Sequence, residues 1–278
     1  MEYHKVTEPS SKIREIARNA AKGNWWKLYL GMLIFMMVTF AASFLIGLIV
    51  YFFPMYRYIV TDNYYYLLNV TGILTVPLIW AIMAPLMLGM YTFLLKAFRS
   101  REISYGSIFA GFKVLLKAVG LLLLMAVKIL AWSLLFIVPG FIAAYRYSMS
   151  MYLLADNHDW KITQCINESK RLMNGNKGKL FCLMFSYLGW YLLWYLFIVV
   201  LIFIIAIISV VAFQAMLYDA YFLVGAMFIG LIPVMFITLI PLMSYFFMGK
   251  AAFYELVTGN LVVVTQGYQI ESGIKDEI

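Results

Sequence analysis

Lys128 and Arg146 are basic residues set inside runs that are otherwise hydrocarbon. They flank Pro139-Gly140, and a helical rise of about 1.5 Å per residue puts them ~16 Å and ~9 Å from that pair. A charge at such depth costs on the order of 3 kcal/mol on insertion scales, and no Asp or Glu in the apolar runs offsets it. Cations without acids suit one kind of chemistry, the binding of anions. Ser150 stands one helical turn after Arg146, with Tyr145 beside it. Lys128, Arg146, Ser150 and Tyr145 thus form a candidate site for a lipid phosphate or a peptide carboxylate. A second reading of the same residues stays open. In it Arg146 snorkels to the interface, the hydroxyls bond neighbouring helices, and Lys128 sheds its charge or faces a wet cavity.

Other chemistries find few residues to carry them. The two histidines, His4 and His158, lie far apart. Asp156-Asn157-His158-Asp159 has metal-ligand residue types, but four consecutive residues cannot face one point from a regular helix. They read instead as a helix start, with Asn157 or Asp159 capping the segment that follows. No serine has a His or Lys at a recognisable activating spacing. The absence of Asp and Glu from the apolar runs removes intramembrane proton relays and aspartyl proteolysis. Cys165 and Cys182 give neither a disulfide framework nor zinc spacing. No catalytic residue, metal ligand or cofactor is assigned.

The elements that must hold the cations are membrane spans. The 278 residues are 65% hydrophobic and 12% charged, with mean hydropathy +0.90, where a soluble domain keeps about a quarter of its residues charged. Six apolar runs are expected to cross the bilayer: Leu28–Phe53, Leu67–Leu95, Val114–Val138, Phe141–Leu154, Leu180–Phe213 and Tyr221–Met248. The fourth is short, and Pro139-Gly140 reads as the hairpin tip joining it to the third. The first is too long for a signal-peptide core and reads as a retained anchor.

Lys and Arg alternate strictly between the two sides. The N-terminal tail, the second-to-third connection and the fourth-to-fifth connection are basic, whereas the opposite connections hold only Arg57, beside Asp62 and Asp219. Both termini are therefore expected in the cytoplasm. Trp25, Trp26 and Lys27 mark one membrane interface, and Tyr64-Tyr65-Tyr66 the other. Amphipathic stretches precede the odd-numbered spans: Ser11–Lys22, Ser104–Lys113 (with Ile108, Phe109 and Phe112 as its apolar face) and Trp160–Met173. Each either lies in the headgroup layer against anionic lipid or packs on the base of the bundle. Gly23-Asn24 recurs as Gly175-Asn176, and Pro85-Leu86-Met87 as Pro241-Leu242-Met243. These echoes suggest one unit, an interfacial helix plus a hairpin, used three times with the middle copy most diverged. Chance likeness among apolar segments is the competing account. The fold class is an all-α polytopic bundle, with residues 1–10 as a tail, 11–257 as the transmembrane domain and 258–278 as a cytoplasmic tail.

The chain resembles a bacterial integral-membrane family, domain of unknown function 975. The resemblance rests on Lys22-Gly23-Asn24-Trp25, Ala84-Pro85-Leu86-Met87-Leu88-Gly89, Ile108–Lys113, the run Val138–Met149 and its continuation Leu154-Ala155-Asp156-Asn157. It resumes with Glu168-Ser169-Lys170 and again from Leu180 to Trp190. It implies a multi-pass bacterial plasma-membrane protein and supplies no activity. His158 stands where the family commonly has Pro. The expected function is non-enzymatic: a binding or accessory component of an envelope or export system, with anionic membrane lipids and a membrane protein as partners and no nucleic acid. The alternative is a transporter or lipid- and peptide-handling protein using an anion site at Lys128 and Arg146.

Overall fold

The computed structural model describes residues 5–60, 64–100, 103–214, 218–264 and 267–270. Arg57, Asp62, Asp219, His4 and the rings of Tyr64-Tyr65-Tyr66 lie outside the described side chains. The chain is helical almost throughout. Its elements are α1 (Ser10–Ala21), α2 (Trp25–Val60), α3 (Tyr64–Arg99), a 3₁₀ segment (Tyr105–Val114), α4 (Leu115–Leu135), α5 (Ile137–Tyr147), α6 (Ser150–Asp156), α7 (Ile162–Leu172), α8 (Lys177–Gln214) and α9 (Tyr218–Val257). An antiparallel ribbon, β1 (Leu261–Val264) with β2 (Gly267–Ile270), pairs Leu261 with Ile270 and Val264 with Gly267. Among the described residues it is the one departure from the all-helical expectation.

Among the described residues, five helices are long and apolar enough to cross a membrane: Trp25–Ile49, Ile79–Arg99, Tyr105–Leu135, Lys177–Val211 and Ile237–Val257. The fourth expected span is no single helix, because the chain breaks at Ser148-Met149 between α5 and α6. The last span runs further than its hydropathy suggested. α9 continues past Met248 to Val257 and carries Glu255 in its final turn. The candidate span Ile237–Val257 thus includes an acid that lies beyond the run expected from hydropathy. Large apolar side chains such as Phe40, Phe44 and Ile49 on α2, Leu130 and Leu134 on α4, and Phe185 and Phe203 on α8 are exposed. Together they make a surface suited to lipid and unsuited to water.

The packed core gathers at one end of the bundle. It takes in Met90–Phe98 of α3, Met149–Ala155 around α6, Ala251–Val257 of α9 and the inner face of α1. α1 buries Ile13, Ile16, Ala17, Ala20 and Ala21, the spacing of one helical face. α7 likewise buries Cys165, Ile166, Ser169 and Leu172. Burial pushes the Cys165 thiol up to about 11. Each of these helices ends in the same way. Gly23 (φ 85°) and Gly175 (φ 77°) turn the chain in the left-handed region. Asn24 and Asn176 then open the next helix, their carbonyls accepting from the N–H of Leu28 (3.0 Å) and Leu180 (3.1 Å). The sequence echo is thus an echo in geometry for the first and last units.

The middle unit diverges, as the repeat reading anticipated. The stretch expected to be amphipathic is the 3₁₀ segment, which buries Ser107, Ile108 and Gly111 and leaves Phe109 and Phe112 exposed. Backbone contact explains this choice of face. A Cβ on Gly89 of α3 would overlap the Ile108 carbonyl, and one on Gly111 would overlap the Pro85 carbonyl. The tip of the middle hairpin also moves. The extended residue is Phe136 (φ −160°, ψ 153°), not Pro139-Gly140. Pro139 falls in the first turn of α5, where its missing N–H would have had no helical partner. Gly140 lets α5 approach Ser133 of α4.

Gly89→Ala and Gly111→Ala should each destabilise the protein by about 1–3 kcal/mol, the usual cost of overpacking a tight contact. Gly47→Ala and Gly189→Ala, where a Cβ meets nothing, should be neutral or slightly stabilising. Thermal unfolding in detergent separates the pairs, and equal losses at all four positions would disprove the backbone contact.

Candidate functional site

Three helices end on one guanidinium. Arg99 closes α3, Asp156 closes α6, and Glu255 lies in the last turn of α9. Arg99 Nη1 and Nη2 donate to Asp156 Oδ1 (2.5 Å) and Oδ2 (3.0 Å), and its Nε donates to Glu255 Oε1 (2.8 Å). The Tyr254 hydroxyl donates to Asp156 Oδ2 (3.0 Å). The planar fork of arginine suits two carboxylates at once, which a lysine could not match. Glu255 is 1% exposed and Arg99 31%. The carboxylates also sit at helix C-termini, where the backbone dipole disfavours negative charge. Arg99 offsets part of both penalties; Glu255 Oε2 is buried without a hydrogen-bond partner among the described residues.

A cavity of about 590 Å³ opens beside this clamp, lined by Thr92, Lys96, Arg99, Lys113, Asp156 and His158 among others. The two lysines supply positive charge beside a cluster that by itself holds one cation and two acids. Lys117 donates to the His158 carbonyl (2.8 Å), which fixes the loop after α6. Neither Asn157 nor Asp159 caps α7, whose N-cap position is Lys161 without a side-chain cap. Asn157 instead donates to the Leu153 carbonyl (3.3 Å) at the end of α6.

The four residues of the expected anion site separate into different surroundings. Lys128 and Arg146 both lie near Lys170 of α7. Desolvation, then repulsion from Lys128 and Arg146, lowers the pKa of its ammonium. The Ser169 hydroxyl donates to the Arg146 carbonyl (2.9 Å), and Lys170 Nζ stands 6.0 Å from the centre of the Tyr147 ring. α7 therefore runs along the α4–α5 hairpin, with Ile162 against Gly120 and Lys170 near Lys128. Ser150 is sealed in the core with its hydroxyl unpartnered. The break at Ser148-Met149 disrupts the helical register that would have set it beside Arg146. Tyr145 lines a different cavity, which includes Lys250. At the start of α2, Trp26 is 73% exposed and stacks on Tyr29 at 5.3 Å, Trp25 faces Tyr245 at 6.3 Å, and Lys27 is exposed.

The sequence model of the family described as protein of unknown function (DUF975) matches residues 1–144 and 134–261. The chain belongs to this family. No curated protein and no solved structure matches it. For a DUF975 member, the segments that carry the resemblance now have physical roles. Ala84–Gly89 and Ile108–Lys113 hold the backbone contact between α3 and the 3₁₀ segment. Asp156 holds Arg99, and Ser169 ties α7 to α5.

Sequence reasoning missed Tyr254, Glu255 and Lys250, and it counted Arg99 and Asp156 without pairing them. Their separations of 57 and 156 residues hide the contacts. One local signal was present: Arg99, Asp156 and Glu255 each close an apolar run, and two of the three are acids on the basic side of the chain. Arg99→Gln should destabilise the DUF975 fold by about 3 kcal/mol, because it strands two carboxylates. Adding Glu255→Gln to that variant should restore part of the loss. A double-mutant cycle on thermal stability checks this, and strict additivity would show that the pair does not couple.

Proposed function

We propose that this DUF975 protein is a six-span plasma-membrane protein, both termini cytoplasmic, that binds the acidic headgroups of membrane lipids and catalyses nothing. The observation that carries the reading is that Lys128 of α4 and Arg146 of α5 lie near enough to Lys170 of α7 for their charges to lower its pKa. No acidic side chain pairs with any of the three among the described residues. Repulsion from Lys128 and Arg146 adds to desolvation in disfavouring the Lys170 ammonium, and an anion relieves it. The sixth span is α5 with α6, twenty residues and roughly 30 Å, enough for the hydrocarbon layer. Orientation is supported by the alternation of basic and non-basic connections, beginning with the basic N-terminal segment that holds α1. α1 docks on α8 through Arg14 and the Ser186 carbonyl (3.2 Å). An accessory role in an envelope or export system would place an acidic partner segment on the same three cations.

Native mass spectrometry from nanodiscs containing phosphatidylglycerol tests the reading. Wild type should retain the acidic lipid, and folded Lys128→Met/Arg146→Met/Lys170→Met should lose it. Equal retention would refute the site. The pKa of Lys170 is lowered in the free protein, so an anion that restores it promotes proton uptake. Binding should therefore weaken as pH rises through the range in which Lys170 loses its proton. A titration of phosphatidylglycerol affinity against pH reads this, and a Lys170→Met variant should flatten it.

A further inference from the structure

Lys250 lies in α9, five residues before Glu255, and no described residue gives it a hydrogen bond or an ion pair. It borders a cavity of about 320 Å³ where α3, α4, α5, α6, α8 and α9 meet. Four methionines, Met87, Met125, Met151 and Met184, form much of the wall, with Tyr91 and Tyr145 beside them. The Ser148 hydroxyl, also at the wall, is committed to the Tyr145 carbonyl (2.8 Å). Among the described residues Lys250 is thus the one charged group lining this apolar cavity, which opens to the surface of the bundle.

That combination selects its occupant by chemistry. A polar solute would leave most of its hydrogen bonds unmade against methionine and leucine walls. A wholly apolar one would leave the ammonium unpaired in a membrane-spanning segment, which is costly. An acyl chain with one acidic head satisfies both ends. Methionine side chains, flexible and polarisable, adapt to a chain of variable length and unsaturation. The volume lies at the small end of ligand cavities, suited to one chain. Lys250 stands about 7 Å along α9 from Glu255 at the basic end of the bundle, close to where a headgroup would lie. We propose that this chamber is a binding site for a single acyl chain whose acidic head, carboxylate or phosphate, pairs with Lys250. The proposal rests on the membrane reading of the chain but not on the Lys128–Arg146–Lys170 cluster.

The test titrates the full-length protein, in phosphatidylcholine nanodiscs, with oleate, with oleyl alcohol and with phosphatidylglycerol, and reads bound mass by native mass spectrometry. Wild type and Lys128→Met/Arg146→Met/Lys170→Met should bind one oleate saturably, and oleyl alcohol should bind far less. Lys250→Met should lose about tenfold or more in affinity, the effect of removing a charged hydrogen bond. Ala144→Phe, which fills the chamber while keeping the charge, should abolish binding. If only phosphatidylglycerol gives the adduct that depends on Lys250, the acidic head comes from a phospholipid, and the site stands. If neither acid binds one-to-one, or if affinity is unchanged in folded Lys250→Met, the proposal falls, even where the three-cation cluster still holds lipid.

Discussion

The packed end of this molecule depends on one guanidinium shared by two carboxylates from distant parts of the chain. Without Arg99, the last turns of α6 and α9 would each bring a carboxylate into a crowded, partly dry region beside backbone carbonyls that repel it. With Arg99 in place, α3, α6 and α9 are tied together at their ends by directed bonds of 2.5–3.0 Å. Such a cluster specifies geometry more than it adds net stability, since desolvating three charges consumes much of their attraction. Specificity is what a bundle of apolar helices lacks. In lipid, helix–helix association has no large hydrophobic driving force to fix its register.

Close backbone contact supplies the remaining specificity. Gly89 and Gly111 allow the 3₁₀ segment to lie directly on α3, so the segment joining the first hairpin to the second is held as core. The two outer units share a left-handed glycine and an asparagine at the entry to their first long helix. The N-terminal tail completes the joint of the second: the Val6 N–H donates to Asn176 Oδ1 (2.9 Å), and Lys179 Nζ donates to the carbonyls of Thr7 and Glu8 (2.9 Å each). Residues 6–8 and the start of α8 thus form one structure.

The cations divide by what they meet. Arg99 is neutralised by protein acids and serves the fold. Lys128, Arg146, Lys170 and Lys250 find no acid among the described side chains. Both functional proposals follow from that difference, one at the flank of α7 and one inside the bundle.

Hydropathy alone determined that the chain is helical and apolar enough for a membrane, because spanning segments must satisfy their own backbone hydrogen bonds. The amphipathic faces of α1 and α7, the recurrence of Gly23-Asn24 as Gly175-Asn176, and the divergent middle unit were also legible, since each depends on residues within a few positions of one another. Lys128 and Arg146 stood out for the same local reason, as charges in apolar runs. What surrounds them was not legible. The hairpin tip fell at Phe136 because proline fits the first turn of a helix as well as it fits a loop. Ser150 left the proposed site because the helix breaks before it. The surroundings of Lys170, Glu255 and Lys250 come from packing between segments up to about one hundred and sixty residues apart. Local pattern reports the state of a segment, but which charges meet is decided by how the segments pack, and only the tertiary structure holds that.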